Sequence, residues 1–199
     1  MNNPTAGITA VILASGFSKR MGCNKLLLPV EGKAMIAHVF DAVRQVEFEQ
    51  TVVVTGFDSI AQLAVGNGFQ AVDNDSPEIG QSHSVVLGVQ KTSQSAGWMF
   101  FNWRYALAEI GYHWKIAGIC GCSTYCGAKV CSRPGEPVYF PAALKYRITG
   151  FDRRPWADGP SYAIIRIESA MCPLTISDRA VDVDTSEGYE KVKGGDWVE

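Results

Sequence analysis

No run among the 199 residues approaches the roughly 20 consecutive apolar positions that a bilayer-spanning helix needs. The N-terminus also lacks the basic-then-apolar layout of a secretory leader. Both absences predict a cytoplasmic protein with no membrane association. Charge of a single sign is missing too. Lys and Arg number 18 against 20 Asp and Glu, a net charge of -2, which removes any general attraction to nucleic acid or anionic lipid. Histidine is scarce, and His38, His83 and His113 stand in no constellation with other reactive side chains. Internal repeats and low-complexity tracts are absent. What remains is a chain with 47% hydrophobic residues, long enough for one substantial core and too short for two comfortable domains. Residues 1–199 are read as a single domain.

Short apolar runs at Ile8–Leu13, Thr51–Thr55 and Trp98–Phe101 are rich in β-branched or aromatic residues and bounded by polar or Gly positions, as buried parallel strands are. Helical patterns lie between them. Ala34, Ile36, Ala37, Val39, Phe40 and Val43 form one apolar stripe, and a second helix begins at Ser82 and runs to Val89 after the Gly80 break. Alternating strands and helices predict an α/β protein with a three-layer sheet that binds ligands at the carboxyl ends of its strands.

The first predicted strand breaks into Leu13-Ala14-Ser15-Gly16-Phe17-Ser18-Lys19-Arg20-Met21-Gly22, followed by Lys25, a leucine run and Pro29. Ala14, Ser15 and Gly16 are small enough for backbone N–H groups to close around phosphate oxygens, while Arg20 and Lys25 supply positive charge. The plain alternative is a strand-to-helix turn with surface cations. The whole string, however, resembles the opening motif of the MobA-like nucleotidyltransferases, and within them the MocA-type molybdenum cofactor cytidylyltransferases: Leu-Ala-Ala/Gly-Gly-x-Ser-x-Arg-Met-Gly-x-x-Lys-x-Leu-Leu-Pro. Ser15 is the one small-for-small departure. Asn74 to Gly88, with Gly80-Gln81-Ser82 and Ser84, resembles the family's second loop. Arg133-Pro134-Gly135-Glu136-Pro137-Val138 resembles its Pro-Gly-x-Pro-Val segment, and Asp182-Val183-Asp184-Thr185 its Asp-Ile-Asp-Thr motif.

The resemblance implies a Rossmann-like three-layer nucleotidyltransferase fold with a mostly parallel sheet. It also implies a Mg²⁺-dependent transfer of CMP from CTP to a pterin-type phosphate acceptor, the molybdenum cofactor, with release of pyrophosphate and with a molybdoenzyme maturation protein as a partner. Lys25 and Arg20 become the catalytic cations. Leu13, Ala14, Ser15, Gly16, Ser18, Gly80, Ser82 and Ser84 become nucleotide-binding positions, and Asp184 and Asp182 metal ligands. Gly80, Ser82 and Ser84 have a second reading, as the cap of the helix they begin, and the two aspartates a second one as a solvated strand end. Pro134, Gly135 and Pro137 are read as shaping a substrate-side loop, with Arg133 facing an anionic acceptor.

Two stretches depart from the family, roughly 102–132 and 151–176. After the third strand the family carries Gly-Asp-x-Pro, whose Asp holds the metal, whereas this chain has Asn102-Trp103-Arg104-Tyr105-Ala106. A coding sequence for Phe101–Glu109 exists that, read one base later from within the Asn102 codon, gives Ile-Gly-Asp-Met-Pro-Leu-Leu. Phe151–Trp156 shifts by the same single base to Leu-Thr-Gly-Asp-Arg-Gly, which resembles another family segment. Both stretches are therefore read as frame-shifted, against the alternative of genuine divergence. Cys120, Cys122, Cys126 and Cys131 crowd into the first of them. Cys120-x-Cys122 is tighter than a common zinc knuckle, disulfides do not suit a cytoplasmic chain, and Trp103, Trp114 and these cysteines stand where the family has a helix. Two other functions stay open: transfer to a sugar phosphate or another small phosphate, and a catalytically impaired nucleotide-binding protein lacking the metal Asp.

Overall fold

β-Branched runs supply the centre of the sheet. In the computed structural model, which describes residues 5–18, 21–102, 126–130, 133–149, 174–176 and 185–193, β1 (Ile8–Leu13) is buried along its whole length. It lies between β4 (Gln50–Thr55) and β6 (Gly97–Phe101), parallel to both, and β5 (Gln70–Asp73) pairs parallel to β4. On the far side β8 (Arg133–Pro141) runs antiparallel to β6 and to β7 (Cys126–Val130), which pairs parallel with β9 (Leu174–Ile176). The resulting seven-stranded order is β5-β4-β1-β6-β8-β7-β9. A separate hairpin joins β2 (Pro29–Val30) to β3 (Lys33–Ala34). Its turn residues Glu31 and Gly32 have φ of 48° and 82°, the left-handed pair that a tight hairpin demands.

The period of two along each strand divides the core between the two faces. Ile8, Ala10, Ile12, Met99 and Phe101 meet Ile36, Val39, Phe40 and Val43 of α1 (Met35–Arg44) and Ile60 and Ala64 of α2 (Asp58–Gly66). Val11, Leu13, Trp98 and Phe100 share the other face with Val89 of α3 (Gln81–Lys91) and Ile148 of α4 (Lys145–Thr149). A helix–sheet–helix sandwich follows, as expected. The three predicted strands and both predicted helices are present, with ends moved by at most two residues.

Gly88 sets how closely α3 sits on β1. A Cβ there would stand 2.6 Å from Val11 Cγ1 and 3.5 Å from Val54 Cγ2, and a buried valine has no rotamer freedom with which to retreat. Gly88→Ala is expected to lower stability by about 1–3 kcal/mol despite alanine's better helix propensity. A urea midpoint that falls at unchanged slope would register it.

Two expectations are corrected here. Arg133 to Pro137 is not a loop but the first half of β8. Successive pairings on β7 pass from Gly127 to Lys129 while their partners on β8 pass from Val138 to Pro134, so Gly135, Glu136 and Pro137 form a bulge. Missing proline N–H groups are tolerated in such a place. Because β8 is antiparallel to β6 and Val138 pairs with Phe100, this stretch still runs past the carboxyl end of β6. Cys126 lies in strand β7 and not in a helix. Cys120, Cys122, Cys131, Trp103, Trp114 and His113 lie outside the described residues.

Candidate nucleotide site

The loop after β1 is held from below by β4. Ala14 is pinned at both its backbone groups: its N–H donates to the Val54 carbonyl at 2.8 Å, and its own carbonyl accepts from Thr55 Oγ1 at 3.0 Å. The Ser15 hydroxyl donates to the same Val54 carbonyl at 3.1 Å. Both residues are buried, and Leu13 sends its side chain into the core. The side chains of Leu13 and Ser15 therefore serve the scaffold, and what these positions offer a ligand is backbone. At Gly16 the chain emerges, and a Cβ built there would meet nothing within 4 Å. That is an open cradle at the carboxyl end of the central strand.

Ser18 closes the loop. It adopts a φ of 49°, its carbonyl accepts from the Met21 N–H at 2.8 Å, and its hydroxyl accepts from the Lys25 N–H at 3.2 Å. Lys25 opens a single 3₁₀ turn capped by Asn24, whose side-chain oxygen accepts from the Leu26 N–H at 3.0 Å. The loop thus brings the half-buried Lys25 back beside residues 16–18. Arg20, the second expected cation, lies outside the described residues.

A buried polar hub supports the neighbouring strand ends. Asn74 takes the Thr55 carbonyl with its N–H at 2.9 Å, gives Nδ2 to the Ser84 hydroxyl at 3.0 Å and accepts from the Ser76 N–H at 3.1 Å. Ser84 is buried and its oxygen faces Asn74, so it locks α3 to the sheet instead of facing a ligand. Gly80, with φ of 111°, stands at the start of α3, which begins without a side-chain cap. The capping alternative is thereby set aside for Ser82 and Ser84 but holds for Gly80, which occupies the cap position and whose carbonyl accepts from the His83 N–H at 3.1 Å. Asn74 and Thr55 are the parts of this site that sequence reasoning missed. Thr55 directly follows the apolar Val52–Val54, and Asn74 opens the segment that resembles the family's second loop. His38 is structural, its Nε2 lying 2.8 Å from the Val30 carbonyl.

The Asp-Val-Asp-Thr motif leads into α5 (Ser186–Lys193). Thr185 starts that helix by accepting from the Gly188 N–H at 3.2 Å, and the Tyr189 hydroxyl donates to the Pro29 carbonyl at 2.7 Å. The sequel of the motif is thus latched four residues beyond Lys25. Tyr189→Phe is expected to loosen α5 by about 1 kcal/mol. Amide exchange would show faster protons in α5 and unchanged ones in β1 and β4.

Asp182 and Asp184 themselves lie outside the described residues. Among the described residues no three His, Cys, Asp or Glu side chains converge as metal ligands, and residues 102–106 hold no carboxylate. Neither observation bears on Asp182 and Asp184, the carboxylates that the resemblance offers to the octahedral shell of Mg²⁺. Among the described residues no helix is long and apolar enough to cross a membrane.

Fold and loop together define an α/β domain with an open backbone cradle at the carboxyl end of its central strand. Residues 10–102, just under half of the chain, match the family described as MobA-like NTP transferase domain. The bifunctional protein GlmU of Symbiobacterium thermophilum is 33% identical over 94 residues, 45% of this chain and 20% of that protein. A probable molybdenum cofactor guanylyltransferase of Natranaerobius thermophilus is 30% identical over 98 residues, 48% of this chain and 47% of that protein. The chain thus spans less than half the length of these curated relatives. Among solved structures, Rv0371c of Mycobacterium tuberculosis superposes with a TM-score of 0.78 at 19% identity over 94% of this chain and 97% of that one. A further structure of that protein is a complex with manganese, with a TM-score of 0.74 at 19% identity over 94% and 98%. The 4-diphosphocytidyl-2C-methyl-D-erythritol synthase of Anaerococcus prevotii superposes at 0.76 with 14% identity over 98% and 99%. At these identities the structures speak for the fold alone.

Proposed function

We propose that this protein transfers a cytidylyl group from CTP to the phosphate of a molybdenum-bound pterin and releases pyrophosphate. The single observation that carries the reading is the open cradle at Gly16, closed by Ser18 onto Lys25. An acceptor phosphate oxygen attacks the α-phosphorus, the new P–O bond forms as the bond to the bridging α–β oxygen breaks, and the electron pair leaves on pyrophosphate. The acceptor is already ionised at neutral pH, so no general base is required. Loop N–H groups, Lys25 and Arg20 hold the phosphates and meet the charge that gathers on their oxygens. Gly80 and Ser82 take the base or ribose at the start of α3. Asp184 and Asp182 would hold Mg²⁺, which would supply charge neutralisation at the phosphates.

The molybdenum cofactor relative supports the pterin acceptor, the diphosphocytidyl synthase fold supports CTP, and the GlmU relatives favour a sugar phosphate as the second reading. A molybdoenzyme maturation protein is the proposed partner and the cytoplasm the proposed compartment. Pyrophosphate release measured for CTP, GTP and UTP against each acceptor separates these readings. CTP with the pterin is expected to give the highest kcat/KM, and a preference for a sugar phosphate would replace the acceptor assignment.

Residues 1–199 as one domain, with 102–132 and 151–176 frame-shifted, belong to the same proposal. The family match ends at residue 102, where the shifted frame is read to begin. A peptide map of the purified protein decides it. A peptide containing Gly-Asp-Met-Pro supports the shift, whereas one containing Asn102-Trp103-Arg104 means that the metal Asp is absent and favours triphosphate binding without transfer.

A further inference from the structure

Phe17 sits at the crown of the phosphate loop and leaves 44% of its surface exposed, an expense that core packing does not explain. Its ring is nevertheless fixed. It meets Phe57 edge to face, with centroids 6.1 Å apart and planes at 85°. In such a pair one ring presents its edge to a face of the other, so Phe17 keeps at least one of its own faces uncovered by Phe57. Phe57 is anchored in turn. Its N–H donates to Thr55 Oγ1 at 3.2 Å, and its carbonyl accepts from the Ile60 and Ala61 N–H groups at 3.0 Å. The backbone on both sides of Phe17 is tied as well, through Ala14 and Ser15 to β4 and through Ser18 to Lys25. A partly open aromatic ring with an anchored neighbour, carried on backbone tied at both sides beside a phosphate cradle, is partly organised in advance of any ligand, which lowers the cost of using it.

We propose that Phe17 is a positioning residue that stacks on a planar heteroaromatic ring of a molecule whose phosphate lies in the Gly16 cradle. The inference rests on the reading of the site given under Proposed function and adds a ring-recognition element to it. Two sources share this chemistry, the nucleoside base and a pterin-like acceptor, and the test tells them apart. Calorimetric binding of CTP, of a soluble pterin phosphate and of inorganic tripolyphosphate is measured for the wild type, Phe17→Ala, Phe17→Leu and Phe17→Trp. Stacking on an aromatic side chain predicts a loss of about 5–100-fold for one ring-bearing probe in the alanine variant. The leucine variant keeps the apolar bulk without the π-face and is expected to lose a comparable factor, while tryptophan restores affinity. Tripolyphosphate is expected to bind all four proteins alike. Loss confined to CTP assigns the base, and loss confined to the pterin phosphate assigns the acceptor. Unchanged affinity for both in the alanine and leucine variants overturns the proposal. Failure of tripolyphosphate to bind even the wild type overturns the phosphate-cradle reading instead, and leaves the ring result to be judged on the other two probes.

Discussion

Gly16→Val is expected to leave the fold intact and to remove nucleotide binding. A Cβ at this position meets no atom within 4 Å, and Gly16 is not among the residues with positive φ, so the substitution starts in open space and asks for no strained backbone. Its effect on stability is expected to stay within about 0.5 kcal/mol, as for other surface changes. The isopropyl group nevertheless fills the space that a phosphate must enter. Excluding the ligand from two charge-assisted backbone bonds, each worth about 1.5–3 kcal/mol, weakens triphosphate binding by about 100-fold or more. Thermal unfolding and calorimetry on the same sample read both halves of the prediction. A variant that binds CTP as the wild type does would mean that the loop does not hold the triphosphate.

Lys25→Met is expected to cost about 10²–10³-fold in kcat/KM, the usual loss when one preorganised charge is withdrawn from a phosphoryl transition state. The substitution isolates the ammonium. Lys25 joins the loop through its backbone N–H, bonded to Ser18 Oγ at 3.2 Å, and methionine keeps that bond and most of the side chain's length. Lys25→Arg is expected to recover only part of the loss, because a planar fork does not reproduce a compact point charge. A rise in KM alone, with kcat retained, would place Lys25 in uniform binding of the substrate and not in the chemistry.

β1, β4, β6, α1 and α3 are legible because local pattern and tertiary role agree there. Ile8 to Leu13 is β-branched and wholly buried, so its pattern admits one structure, and small residues follow it where the backbone itself must do the binding. α2 was not read, since Leu63 and Val65 remain exposed and blur its apolar stripe. The hairpin of β2 and β3 is too short to carry any period. β8 misled because two prolines and a glycine signal a loop, and only the pairing register with β7 reveals that they occupy a bulge. In the site, the spacing of small and cationic residues pointed to the loop but not to the roles of its hydroxyl groups. Ser15 and Ser84 have the residue type of ligand contacts, yet both spend their oxygens on the scaffold, a distinction that depends on Val54 and Asn74, 39 and 10 residues away. Asn74 and Phe17 were passed over because neither is a reactive side chain. Each matters through what it holds in place.

The most direct test of the central claim is to follow the phosphorus resonances of CTP by NMR in the presence of the protein, Mg²⁺ and the molybdenum-bound pterin. Nucleotidyl transfer predicts that the γ- and β-phosphate signals of CTP give way to pyrophosphate while a new phosphoanhydride pair appears at the α-phosphate. Signals that shift on binding but yield no pyrophosphate, with the pterin or with any sugar phosphate, would contradict transfer and leave a protein that holds a triphosphate without cleaving it.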